Sequence, residues 1–110
     1  MKTLNVIVTV FLMVLIGSNE AFAVGSSVGS VSPLYVQGNK AFFTAGTHNE
    51  KPACSTVGDE WAIDISSESG KAVYAMLLTA YSLNSEVIVY GTGKCTVWID
   101  REDVNYMLMP

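Results

Sequence analysis

Four stretches of the chain carry residue types that do chemistry. Gly25-Ser26-Ser27-Val28-Gly29 matches G-x-S-x-G, the strained strand-to-helix turn that presents a nucleophilic serine in hydrolases. That serine needs an acid and then a histidine after it. The single histidine is His48, and no acidic residue lies between Ser27 and His48, so the required order is impossible. No helical pattern follows the motif either, and it reads as a loose Gly/Ser lead. Gly91-Thr92-Gly93-Lys94 echoes the end of a phosphate loop, but a β-type run follows at once and leaves no helix to receive an anion. It reads as a hairpin turn. His48 with Glu50, and Asp100, Glu102 and Asp103, supply the remaining metal-ligand types. One histidine without spaced partners is no zinc set, and the acidic turn lacks the calcium-loop pattern. Both read as solvated loops. The expectation is a protein that is not an enzyme and holds no metal or cofactor.

The chemistry that is left is recognition. Five tyrosines and two tryptophans in an acidic domain supply ring faces, with Asn, Gln, Thr and Asp nearby to hydrogen-bond a sugar. Tyr35, Gln37 and Asn39 at a first hairpin, and Trp98, Asp100 and Arg101 at a last one, set aromatic rings beside polar groups on turns. Binding residues concentrate in such places. The competing use of aromatics is packing: Trp61 belongs in the core, and Tyr74 and Tyr81 pack with a helix.

That helix is the one long helical signal outside the leader. Ser66, Ser67 and Glu68 supply cap chemistry, Lys71 to Leu83 runs without Gly or Pro, and Asn84-Ser85 ends it. Val73, Met76, Leu77 and Ala80 form one apolar stripe; Tyr74, Leu77, Leu78 and Tyr81 form the neighbouring one. A helix apolar over so much of its circumference is expected to bury more than one side. Around it the pattern is β. Leu34–Gln37 and Lys40–Thr47 read as a hairpin across Gly38-Asn39, and Trp61, Ile63 and Ile65 alternate in a third strand. Val87–Tyr90 is a β-branched run of the kind covered on both faces. Cys95–Ile99 reads as a fifth strand and Val104–Leu108 as a last one. The fold class is mainly β with one α-helix (α+β), in the order βββ-α-ββ(β), and a small OB-fold-like barrel fits it best.

Lys2, the apolar run Val6–Ile16 and the small-x-small site Ala21-Phe22-Ala23 form a secretory signal peptide over residues 1–23. The apolar run is too short for a membrane span. A single domain from Val24 to Pro110 follows, with no membrane span, in the periplasm or secreted. Without Lys2 and Glu20 it keeps five basic and nine acidic residues. That balance, with no basic run, excludes nucleic acid and anionic lipid as partners. Cys54 and Cys95 are an even pair in an oxidising compartment and are expected to form a disulfide.

Cys54-Ser55, Trp61, the helix from Ala72-Val73-Tyr74 to Ala80-Tyr81, Val87-Ile88-Val89-Tyr90 and Cys95 follow one another in an order that resembles the binding (B) subunits of AB5-type bacterial toxins, in particular the subtilase-cytotoxin and pertussis-like branch. Gly70-Lys71-Ala72 with Gly91 to Trp98 also resembles a group of short exported bacterial proteins of similar layout. The resemblance spans about Cys54 to Trp98. It implies an OB-fold, a ring pentamer as the homo-oligomer, a glycan ligand, and a catalytic A-type toxin chain as a possible partner. The chain is shorter than those subunits, with one disulfide and a truncated tail, and none of their sugar-contacting residues is carried over. Two functions stand at this point: an exported glycan-binding or envelope-binding module, and an exported periplasmic structural or interaction protein without a sugar site.

Overall fold

Ser66-Ser67-Glu68 starts the helix as its chemistry dictates. In the computed structural model, which describes residues 23–110, Ser67 is the N-cap: its hydroxyl accepts from the Gly70 N–H at 3.0 Å. Helix α1 (Glu68–Leu83) ends at Asn84, whose left-handed backbone (φ 53°) lets its N–H reach the carbonyls of Ala80 and Tyr81. The expected leader, up to residue 22, lies outside the described residues.

The strands are β1 (Ser26–Gln37), β2 (Lys40–Ala45), β3 (Trp61–Asp64), β4 (Glu86–Gly91) and β5 (Glu102–Leu108). The described chain is therefore mainly β with one helix, in the order βββ-α-ββ. The five strands form one sheet in the order β1-β2-β3-β5-β4. Neighbours run antiparallel except β3 and β5, which pair in parallel at Trp61↔Glu102 and Ala62↔Asp103. Strand β1 serves two partners: Ser26–Ser30 pairs with β4, and Val31 with Leu34–Gln37 pairs with β2, so the ladder returns to its first strand.

Two sequence expectations fail here. The Gly/Ser lead is not loose, because Ser26–Ser32 is the first half of β1. Its small residues answer to close contact: Ser27 is buried and its Oγ accepts from the Trp61 indole N–H at 3.0 Å, and a Cβ on Gly29 would lie 2.6 Å from the Gly46 nitrogen. Pro33 falls where the β1–β2 register shifts, a place that tolerates its missing N–H. The expected strand Cys95–Ile99 is instead a loop. The Asp103 carboxylate accepts from the backbone N–H groups of Thr96 (2.8 Å) and Val97 (2.9 Å) and from the hydroxyls of Thr92 and Thr96. Those N–H groups are spent on a side chain, and no ladder forms.

The core lies between the sheet's concave face and α1. Trp61, Phe43, Val87, Val89, Leu77 and Ala80 are fully buried there, and each large apolar side chain contributes about 1.5–3 kcal/mol by burial. Strand β4 is covered on one face rather than two: Val87 and Val89 point in, while Ile88 and Tyr90 are half-buried outside. The helix likewise buries one side. Leu77, Ala80 and Gly70 are buried, but Leu78, Tyr81 (52% exposed) and Leu83 (65% exposed) face solvent. No helix among the described residues is long and apolar enough to cross a membrane.

Cys54 and Cys95 form the expected disulfide, joining the β2–β3 loop to the 92–101 loop across a sequence separation of 41. Closing a loop of that length stabilises the fold by about 4 kcal/mol in the chain-entropy model. Replacing both cysteines by serine should lower the free energy of unfolding by up to that amount. A urea titration of the variant against the oxidised parent measures it.

Candidate functional site

Alternation along β2 turns Ala41, Phe43 and Ala45 into the core and leaves Phe42 on the outer face. Phe42 is nevertheless buried, because the 92–101 loop and β1 cover it. The Tyr35 ring stacks on it with centroids 5.1 Å apart, Trp98 meets it edge-on at 5.1 Å, and the Arg101 guanidinium lies 5.0 Å from its centroid. Both ring geometries are favourable for aromatic quadrupoles, and the guanidinium adds a cation–π contact.

A polar layer sits on this aromatic one. The Tyr35 hydroxyl donates to Glu60 Oε1 and accepts from Arg101 Nη2 at 3.2 Å. Arg101 Nη1 donates to Asp100 Oδ1, and its Nε lies 3.6 Å from Glu60 Oε1. Burial first, then the hydrogen bond to Glu60, raises the Tyr35 pKa above its ordinary value. Burial works against the Arg101 charge, but the bonds to Asp100 and Tyr35 and the charge of Glu60 outweigh it, and the Arg101 pKa is raised. The disulfide and the bond from the Thr56 N–H to the Asp100 carbonyl (3.0 Å) hold the 92–101 loop against the β2–β3 loop. Positions 35, 98, 100 and 101 therefore converge from opposite ends of the chain.

Of the six residues singled out in the sequence, Tyr35, Trp98, Asp100 and Arg101 meet in this cluster. Gln37 and Asn39 do not join it. Gln37 is exposed one step along β1, on the same face as Tyr35 and opposite Lys40, while Asn39 lies in the turn, where its carbonyl accepts from the Ile65 N–H at 3.0 Å. Sequence reasoning missed Phe42 and Glu60. Phe42 had a signal, being the outward member of an alternating strand; Glu60 had none.

Removing Tyr35 or Trp98 should disturb this surface more than the fold. Tyr35→Ala or Trp98→Ala is expected to leave the far-ultraviolet circular dichroism unchanged. Each should weaken binding of a ligand held on the cluster at least about tenfold, a loss of about 1.4 kcal/mol.

The expectation that His48 and the Glu102 turn are solvated is wrong. Both side chains are 0% exposed, with His48 Nε2 2.7 Å from Glu102 Oε1. Glu102 Oε2 accepts from the N–H groups of Gly25 (3.0 Å) and Gly93 (2.8 Å), and the imidazole stacks on Trp61 at 3.7 Å. Glu102 opens β5, and its carboxylate lies close against Gly25 and Gly91. A Cβ on Gly25 would stand 2.1 Å from Glu102 Oε1, so the approach needs glycine. Ser27, the serine of the G-x-S-x-G match, is turned to Trp61 and makes no contact of a nucleophile with its base. Among the described residues no group of three or more His, Cys, Asp or Glu is placed to hold a metal ion.

A cleft of about 190 Å³ opens where β3 and β5 part beyond Ala62 and Asp103, lined by Asp64, Ser67, Gly70, Val73, Thr92 and Val104 among others. Its carboxylates are already engaged: Asp103 by the 92–101 loop, and Asp64 by the Ser66 N–H (2.9 Å), the Ser66 hydroxyl and the Lys40 ammonium (3.1 Å). The hydrogen bonds from Ser66, with Lys40 behind them, lower the Asp64 pKa from 3.8 to about 2. A depressed pKa stabilises the fold fully above the unfolded value, and the contribution fades as pH falls from about 4 towards about 2. Asp64→Asn should therefore be less stable than the parent at neutral pH. The gap between their denaturation midpoints should close as pH is taken through that window.

Comparison with protein-family models, with curated proteins and with solved structures finds no match to this chain.

Proposed function

We propose that the chain is an exported, non-catalytic binding module of OB-fold-like barrel type. In this reading it holds a glycan or another cell-surface ligand on the Tyr35–Phe42–Trp98–Arg101 face. The observation that carries the reading is the convergence itself: aromatic and charged side chains from positions 35, 42, 60, 98, 100 and 101 form one surface, fixed by a disulfide-tied loop. A surface so assembled is preorganised, which lowers the entropy lost on binding. The strand order β1-β2-β3-β5-β4, with α1 between β3 and β4, supports the OB-fold-like layout, and that layout presents such surfaces to oligosaccharides. A glycan array probed with the protein from Val24 onward, and repeated with Tyr35→Ala and Trp98→Ala, tests it. Binding that both variants retain would place the ligand elsewhere.

The module acts as a homo-oligomer in this proposal, with a ring pentamer as the favoured form and a catalytic A-type toxin chain as a further partner. Support comes from the exposed apolar residues: Met76, Leu78, Tyr81 and Leu83 on α1, and Val28, Tyr106 and Leu108 on the outer face of β1 and β5. Monomers seldom leave patches of this kind uncovered. The same exposure favours a second reading, an exported interaction protein with no sugar site. Light scattering at micromolar concentration that gives the mass of one chain would remove the ring. A blank array together with an assembled protein would favour the second reading.

A further inference from the structure

Resting on the glycan reading, we infer that the Tyr35–Trp98 face takes an uncharged, polyhydroxylated ring and discriminates against acidic sugars. Among the described residues Arg101 is the one cation placed over the aromatic cluster, and it is already engaged. Its side chain is 15% exposed, its guanidinium lies over Phe42, it donates to Asp100 and Tyr35, and its Nε, buried without a hydrogen-bond acceptor, sits 3.6 Å from the Glu60 carboxylate. Lys40, which shares the outer face of β2 with Phe42, is held by Asp64 at 3.1 Å. One cation against the carboxylates of Glu60 and Asp100 leaves the cluster with a net charge of −1. An incoming carboxylate or sulfate meets that charge, and the cluster's own cation is already engaged.

A neutral sugar meets what the surface has to give. Tyr35 is 38% exposed, and with one ring face on Phe42 it has the other for the C–H face of a pyranose. The Asp100 side chain is 36% exposed, and its carboxylate accepts only, which suits ligand hydroxyls as donors. A cationic ligand would have the acidic groups but not the ring arrangement. The position over Phe42 is taken by Arg101, and the rings form a stack with one edge contact rather than a cage.

The test is a titration series with immobilised neutral glycans ending in galactose, glucose, mannose or N-acetylglucosamine. Their sialylated, sulfated and uronic acid counterparts are run alongside at low and physiological salt. Neutral glycans should bind at least about tenfold more tightly than their acidic counterparts, the scale of one like charge at close range in water-exposed protein. Neutral binding should change little with salt. Asp100→Asn, on an exposed side chain, should raise the acidic-to-neutral affinity ratio about tenfold. Preference for acidic glycans, or an unchanged ratio in Asp100→Asn, would overturn the charge argument while leaving a glycan-binding module. No binding to any member of the series would overturn the inference and the glycan reading together.

Discussion

Glu102→Ala should destabilise the protein by about 3–5 kcal/mol, the usual cost of leaving one member of a buried, hydrogen-bonded pair without its partner. Three donors lose their acceptor at once: His48 Nε2 and the backbone N–H groups of Gly25 and Gly93. With a carboxylate facing Nε2, the imidazole carries its proton there, and His48 Nδ1 has no partner of its own. The imidazole is thus hydrogen-bonded through one nitrogen only. Glu102→Gln separates the contributions. Its amide oxygen can still receive Gly25 and Gly93, but its NH2 then faces Nε2 and forces the proton to Nδ1, where a buried donor goes unmet. That substitution should cost less, about 1–3 kcal/mol. Urea denaturation followed through Trp61, which stacks on His48, reads both variants. Equal costs for Ala and Gln would show that side-chain volume, not the hydrogen-bonded charge, matters at this position.

Phe42→Ala carries the other large effect, again about 3–5 kcal/mol, as expected for a buried aromatic truncated to methyl. Its burial is unusual in direction, because it lies on the outer face of β2. It is covered by Tyr35, Trp98 and Arg101 rather than by core residues. Truncation opens a void beneath all three. Phe42→Leu keeps most of the volume and should cost less than about 1.5 kcal/mol. It nevertheless removes the ring on which Tyr35 stacks and over which Arg101 sits. The leucine variant should therefore fold, and any ligand of the cluster should bind it at least about tenfold more weakly. A leucine variant that binds as the parent does would show that the ring positions nothing.

What was legible in the sequence is what short-range physics decides. The cap at Ser67 and the stop at Asn84 are written within one turn of the helix they bound. The β1–β2 hairpin and the alternation of Trp61 and Ile63 depend on period-two burial, whereas the run Val87–Tyr90 marked a strand but not that only Val87 and Val89 turn inward. The disulfide followed from two cysteines and the expectation of an oxidising compartment. Tertiary structure decided the rest. Ser26–Ser32 has the composition of a linker, and only the approach of Gly46, Trp61 and Glu102 shows that its small residues are needed for contact. Cys95–Ile99 alternates like a strand, yet Asp103, several residues onward, takes the N–H groups a ladder would use. His48 and Glu102 look solvated where they stand in the chain, and are buried only because each satisfies the other across 54 positions. Tyr35 and Arg101, 66 apart, carry no local sign of meeting. Sequence by itself determined the helix and at least part of each strand, in their order, with one strand too many at Cys95–Ile99. Which polar groups are paired inside, and which side chains share a surface, depended on contacts made only after the strands closed on one another.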